Sequence, residues 1–390
     1  MRTNIFNWLE SGLTANQRIS LNLYVAYDLD YQNTRPIDYT RISRDLLEHL
    51  DSRFYISGAT IHDELASLTS SGIIAESEAD DVFGKGYAEK RNAILYFAIK
   101  HKMDYLVFFD DDEYPIAVTN TRQRAVWSGQ QVLSTHMKYI PRADITHGWH
   151  CGYISPIPQL SFNEVLSEDV FRTFIEAISN DIVKWDKIKS VMDSGGVTFA
   201  DPDILVQNEA EEVAEVNHAK FISGANLCLN LTMPERTFPF FNPPGARGED
   251  TFLSTCLSER TVLRVPVYTF HDGFSTYKHL LDGVLPTRLK PVLPIDEAIV
   301  TRFYRACIGW ARYKPLLLHI TDRANYQDRI EDLLLKLDAS VPAICEYFDR
   351  KEFKNIIVEL KKYHAGVESH HQAFIRMKQV WARIIAAREQ

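Results

Sequence analysis

Residues Tyr105 to Phe109 (YLVFF) are apolar at every position and run straight into four consecutive acids, Asp110, Asp111, Asp112 and Glu113. A short run without polar alternation reads as a strand covered on both faces, which calls for an α/β fold with helices packed over a sheet. Such a strand delivers whatever follows it to the carboxyl edge of the sheet, where α/β proteins bind ligands. Four adjacent carboxylates repel one another, so the cluster is costly unless it holds a cation. Magnesium or manganese suits it: these ions prefer carboxylate oxygens, and magnesium takes one or two of them together with substrate phosphate oxygens. Taken alone, the segment reads equally well as an acidic turn closed by Tyr114 and Pro115.

The rest of the chain supplies the layers. Leu21 to Tyr27 (LNLYVAY) reads as another strand, and helical patterns over Arg41 to Leu50 and Gly86 to His101 give the strand and helix alternation of a parallel sheet. A helix is expected over Phe162 to Lys187, opening at Ser161 with Glu164 three residues on as a capping box. Further strands are expected at Ala219 to Leu231 and Thr261 to Phe270. Pro286, Pro291 and Pro294 punctuate a linker, and from Asp296 helical periodicity dominates, as in Phe374, Met377, Trp381 and Ile385. A chain of 390 residues exceeds one ordinary core. Two units are therefore expected, an α/β domain over 1–285 and a helical region over 286–390.

The formal net charge of -9 disfavours indiscriminate nucleic-acid binding, so an anionic ligand would need a bound cation or local basic side chains. Lys351, Lys354, Lys361, Lys362, Arg376, Lys378 and Arg383 in the last helices could meet an anionic membrane or a partner, although a solvated helix face is the preferred reading. Five scattered cysteines without a CxxC pair argue against a disulfide framework or a structural cysteine zinc site. With no signal-like amino terminus and no apolar stretch of about eighteen residues, a cytoplasmic setting is expected, with peripheral membrane contact left open.

Three other segments offer chemistry. Arg91, in GKGYAEKRN, can hold a phosphate or ribose by forked hydrogen bonds. Glu249 and Asp250 follow the loop FNPPGARG; an isolated acid there reads as a helix cap, but Asp250 also fits a general base. His271, after VPVYTF, is a candidate third donor to a manganese-type ion, and Lys278 could neutralise a diphosphate. Lone histidines and surface lysines are more often structural or solvated.

Taken in order, RNAILYFAIKHKMDYLVFFDDDEYP, FISGANLCLN, GARGEDTFLS and FHDGFSTY make residues 20 to 280 resemble a GT-A-fold glycosyltransferase of the inverting family 2 type. The resemblance implies a Rossmann-like nucleotide-sugar domain followed by a helical appendage. It implies that Asp110 approaches the nucleotide ribose, Asp112 ligates Mn2+ or Mg2+, Asp111 can substitute in either role, and His271 is a further metal ligand. Asp250 would be the base and Glu249 would orient the acceptor. Gly224 and Ala225 would pass beneath the donor sugar, Tyr27 would stack on the base, and Trp149, in the segment HGWHCGY, would face the acceptor. The implied partners are a nucleotide sugar, UDP-linked as the first expectation, and a glycan or other hydroxyl acceptor. Two alternatives stay open: a haloacid-dehalogenase-type phosphatase, which also places DxD after a strand, and a non-catalytic scaffold that binds glycans or proteins.

Overall fold

The computed structural model describes residues 1–10, 19–29, 34–84, 86–122, 124–179, 184–277, 279–280 and 283–388, and its architecture is mixed α/β. Strands β1 (Asn22–Ala26) and β2 (Ser52–Ile56) are parallel and, among the described residues, pair only with each other. The main sheet runs in the order β3 (Tyr105–Phe108), β11 (Leu227–Asn230), β7 (Ile145–Gly152), β12 (Val262–His271), β4 (Glu113–Tyr114), with β8 (Glu211–Glu212) also on β12. It is mixed: β11 is antiparallel to β3 and β7, whereas β12 is parallel to β7 and antiparallel to β4 and β8. The parallel pattern expected of the amino-terminal half is thus confined to β1 and β2, because β3 takes its hydrogen-bonded neighbour from far along the chain. A hairpin of β5 (Ile116–Thr121) and β6 (Arg124–Gly129) extends from the acidic turn, and β9 (Glu215–Val216) pairs with β10 (Ala219–Lys220).

Helix α1 (Tyr87–Lys100) buries a broad surface that includes Ala93, Leu95, Tyr96 and Ala98, as a helix sandwiched between layers must. The helix expected over Arg41 to Leu50 is instead two short pieces, Pro36–Thr40 and Arg44–Leu47, separated by extended backbone at Arg41 and Ser43. The capping signal at Ser161 also moves. Asn163 Oδ1 accepts from the amides of Val165 and Leu166 in a local turn, and Ser167 Oγ caps α2 (Glu168–Ile178) by accepting from Val170 N at 3.3 Å. A separate helix, α3 (Trp185–Asp193), follows.

The strand β7 includes most of the segment HGWHCGY, whose Trp149 is expected to face an acceptor, yet it is the middle of the sheet. Its polar residues serve a buried node. Pro266 has no N–H, and the pairing of β12 with β7 is irregular between Arg264 and Tyr268. Asn226 bridges that gap: its Nδ2 donates to Trp149 O at 3.2 Å and Val267 O at 3.4 Å. Its Oδ1 accepts from His136 Nε2 at 2.9 Å, and His136 Nδ1 in turn lies 2.7 Å from Thr146 Oγ1. Burial holds His136 far below the usual imidazole range, at about 4, so it stays neutral and serves as donor and acceptor at once. Gly148 packs against this amide so closely that a Cβ would collide with it. Gly148→Ala is therefore expected to destabilise the fold by about 3 kcal/mol, the upper end of ordinary overpacking, as read by urea denaturation.

The carboxy-terminal half is helical: α5 (Glu297–Thr321), α6 (Tyr326–Tyr347), α7 (Asn355–Ala365) and α8 (Val367–Ala386), with α4 (Glu249–Ser254) preceding β12. These helices share the sheet's core, since Leu316, Phe374, Met377 and Trp381 lie in one apolar cluster with Leu227, Phe240 and Phe252. A second cluster joins α2 and α3 to α5, α6 and α7. Among the described residues no helix is long and apolar enough to cross a membrane.

Candidate functional site

The acidic turn is held in place by sheet pairing. Strand β4 pairs antiparallel with β12, with Glu113 opposite His271, and Asp272 N donates to Asp112 O at 3.0 Å. That register brings His271 Nε2 to 3.3 Å from Asp112 Oδ2. The other ring nitrogen, Nδ1, lies 3.0 Å from Tyr153 O, which can only accept. Nδ1 is therefore the nitrogen that donates to this carbonyl, and Nε2, the nitrogen turned toward Asp112, is the one a metal ion would take. Partial desolvation and the charges of Asp111 and Glu113 raise the Asp112 carboxyl, against the pull of His271. Desolvation, Glu113, Asp112 and Glu249 raise Asp110 against the pull of Arg91. Carboxylates raised in this way mark negative charge that the protein alone does not neutralise, and a divalent cation would relieve it.

The four acids do not share one role. Asp110 and Asp111 are exposed and Asp112 half-buried, but Glu113 turns inward, its side chain 1% exposed, with Oε1 2.7 Å from His150 Nε2 and accepting from Thr269 Oγ1 at 3.0 Å. Burial alone would raise Glu113, yet the His150 pair and the hydroxyl outweigh it and hold the group below its usual range. The neighbouring Asp272 is equally committed, accepting from Thr276 N and Tyr277 N to close the turn after β12.

Arg91 is the hub on the other side. Its Nη2 donates to Asp110 Oδ1 at 2.9 Å, its Nη1 to Gly224 O, and its Nε lies 3.5 Å from Glu249 Oε1, with the guanidinium over Phe108 and Phe240. One N–H of each terminal nitrogen is thus engaged within the protein, and the guanidinium expected to hold a phosphate or ribose also ties the acidic turn to Gly224 and Glu249. It sets the spacing between the acidic turn and α4.

Asp250, in the first turn of α4, is part-buried; its Oδ2 accepts from Gly224 N at 3.2 Å and its Oδ1 from Thr251 N at 2.8 Å. Burial, followed by the Glu249 charge, raises its carboxyl to about 6, the range suited to a general base near neutrality. The loop carrying it is fixed by the carboxy-terminal helices. Arg312 Nη1 donates to Gly245 O at 2.7 Å, Tyr363 OH to Pro244 O, and Tyr313 packs on Gly248, whose φ of 106° favours glycine.

The structure thus gathers Asp110, Asp111, Asp112, His271, Arg91, Glu249, Asp250 and Gly224 along one edge, and Ala225, next to Gly224, is buried. Tyr27 follows β1, next to Asp28, which lies 3.5 Å from Lys90, and one face of its ring stacks on Tyr39 at 5.0 Å. Trp149 does not join the group. Strand alternation sends it to the sheet face opposite His150, where Arg264 covers its ring at 3.8 Å and Tyr268 stacks alongside at 6.0 Å. Lys278 lies outside the described residues.

Sequence reasoning missed Arg302. It projects from α5 over the Phe274 ring at 4.1 Å, with Nη2 3.5 Å from Tyr153 O and Nη1 without a hydrogen-bond partner. Burial lowers its pKa, while the Asp112 and Asp272 charges favour its charged form. No motif signals it, because it comes from a helix thirty residues beyond His271. No family model and no curated protein matches this chain.

Proposed function

We propose that the protein is a metal-dependent glycosyltransferase of GT-A architecture that moves a sugar from a nucleotide-diphosphate donor, a UDP-sugar first among them, to an acceptor hydroxyl with inversion. The observation that carries this reading is the meeting of Asp112 with an imidazole that turns Nε2 toward it and holds Nδ1 on Tyr153 O, on the same edge as an acid raised into the range of a general base. Asp112 and His271 would hold Mn2+ or Mg2+, which when bound supplies positive charge to a diphosphate leaving group. Arg302, with one guanidinium nitrogen unpaired and Asp112 in its field, is positioned to add a second cation to that group. Asp250 takes the proton of the acceptor hydroxyl as that oxygen bonds to the anomeric carbon and the bond to the diphosphate breaks. Gly224 lies against both Asp250 and Arg91, and its lack of a side chain would let a donor sugar approach the backbone there.

A thermal-shift series of nucleoside diphosphates and nucleotide sugars, with and without Mn2+, tests the reading. Ligand that binds only the folded chain stabilises it by about 2.7 kcal/mol at a hundredfold excess over Kd. The melting point is expected to rise with a nucleotide diphosphate and Mn2+ together, and Asp112→Asn to remove the Mn2+-dependent part. A series with no shift, or the same shift in the variant, would reject the assignment.

A further inference from the structure

Well away from the acidic motifs in sequence, α5 and α8 bring a second group of donors together. His319 lies in the last turn of α5, and Glu368 and His371, three residues apart at the start of α8, share one face of that helix. Donor atoms of the three side chains all lie within 4.8 Å of one another. His319 Nε2 is 3.5 Å from Glu368 Oε2, close to the spacing of about 3.3 Å that two donors roughly 2.0 Å from a tetrahedral ion would have. Gln372 Nε2 donates to the other carboxylate oxygen, Oε1, at 2.9 Å and so holds Oε2 toward the imidazole. The ring of Tyr326 stands edge-on to His319 at 5.2 Å and closes one side.

His319 is 7% exposed, yet neither of its ring nitrogens makes a hydrogen bond, and His371 Nδ1 makes none either. A buried polar atom left unpaired costs about 1–3 kcal/mol, so three in one spot call for a reason. His136, equally buried, has both nitrogens bonded. His147 has neither bonded, but the charges of Arg264, His150 and His136 bear on it, a setting that repels a cation. The group on α5 and α8 differs in combining two imidazoles with a carboxylate. The positive charges facing it are Arg323, 3.8 Å from Glu368 and 65% exposed in its side chain, and Lys378, one of the charges that lower His371; the exposed guanidinium of Arg323 is free to turn into solvent.

We infer that His319, Glu368 and His371 form a second metal site, selective for a borderline ion such as Zn2+, with water in the fourth position. Two imidazoles and one carboxylate suit zinc, and zinc outcompetes manganese or magnesium at nitrogen donors, whereas the oxygen-rich edge at Asp112 favours the harder ions. The ion would clamp the end of α5 to the start of α8 and so close the helical stretch 319–371 on itself.

The test uses the full chain in the Asp112→Asn background, which removes the other candidate site. Metal-stripped protein is titrated with Zn2+, counted by elemental analysis and followed by melting temperature, with Co2+ as a spectroscopic substitute. One equivalent of Zn2+ is expected to bind and raise the melting point. Adding His371→Gln is expected to abolish both effects, and Glu368→Gln, which alters an exposed carboxylate and leaves the fold intact, to weaken binding at least about tenfold. A chain that takes up no Zn2+, or whose uptake is the same with Glu368→Gln, overturns the site.

Discussion

The substitution Asp250→Asn is expected to lower sugar transfer by about 10²–10⁴-fold, the range lost with a positioned general base, while Mn2+-dependent nucleotide binding persists. Asparagine keeps the shape of the side chain but cannot take the acceptor proton. Because burial raises Asp250 to about 6, the wild-type kcat/KM is expected to climb with pH and level off above that value, reaching about a tenth of its plateau near pH 5. A profile flat from pH 5 to pH 8 would move the base elsewhere. The same shift has a consequence for stability. A carboxyl whose folded pKa lies above its unfolded one stabilises the fold fully only below the unfolded pKa, and that contribution is lost as pH rises through about 6. Ionised Asp250 therefore strains the native state at pH 8 by on the order of 3 kcal/mol. Asp250→Asn should melt higher than wild type at pH 8 and lose that advantage below about pH 4. The gain is reduced because Asp250 accepts from both Gly224 N and Thr251 N, and an amide offers only one oxygen.

What the sequence reveals of this site follows from how local each feature is. The run Tyr105 to Phe109 and the acids after it are legible because continuous apolarity and charge crowding are properties of adjacent residues. The proximity of His271 to Asp112 is a matter of register between β4 and β12, strands separated by almost 150 residues, and the sequence offers only the coincidence of a histidine at a strand end. The segment Ile145–Gly152 misleads for the same reason. Thr146, Gly148 and their neighbours look like loop residues until Asn226, from a distant segment, pairs with them and lets a polar strand be buried. Trp149 follows from that error: once β7 is a central strand, alternation fixes the side to which the indole points. Arg91 is legible as a cation near the site but not as one enclosed by Asp110, Glu249 and Gly224, since those partners come from three separate segments.

The largest expected effect on stability lies in the carboxy-terminal helices. Trp381 of α8 is 2% exposed, packs into the cluster that includes Leu227, Phe240 and Phe252, and donates from its indole to Thr237 Oγ1 at 3.2 Å. Trp381→Ala removes that area, leaves a cavity and loses the indole hydrogen bond, so a loss of about 3–5 kcal/mol is expected in denaturant unfolding. Since ordinary domains hold only about 5–15 kcal/mol in total, a loss of that size is felt by the whole chain if the sheet and the helices melt together. A single transition shifted as one would mark a common core, whereas a separate early transition would mark helices that fold on their own. The chemistry should follow the packing. Tyr313, Arg312 and Tyr363 fix the loop that carries Asp250, and Arg302 reaches the Asp112 side of the edge from the same helix as Tyr313. A chain ending at residue 285 would expose Phe241 and Phe252 to water and release that loop, so it is expected to be insoluble or to lack nucleotide-dependent stabilisation. If instead it folded and showed the full Mn2+-dependent shift, the helices would be dispensable to the site, and Arg302 would have no part in holding the diphosphate.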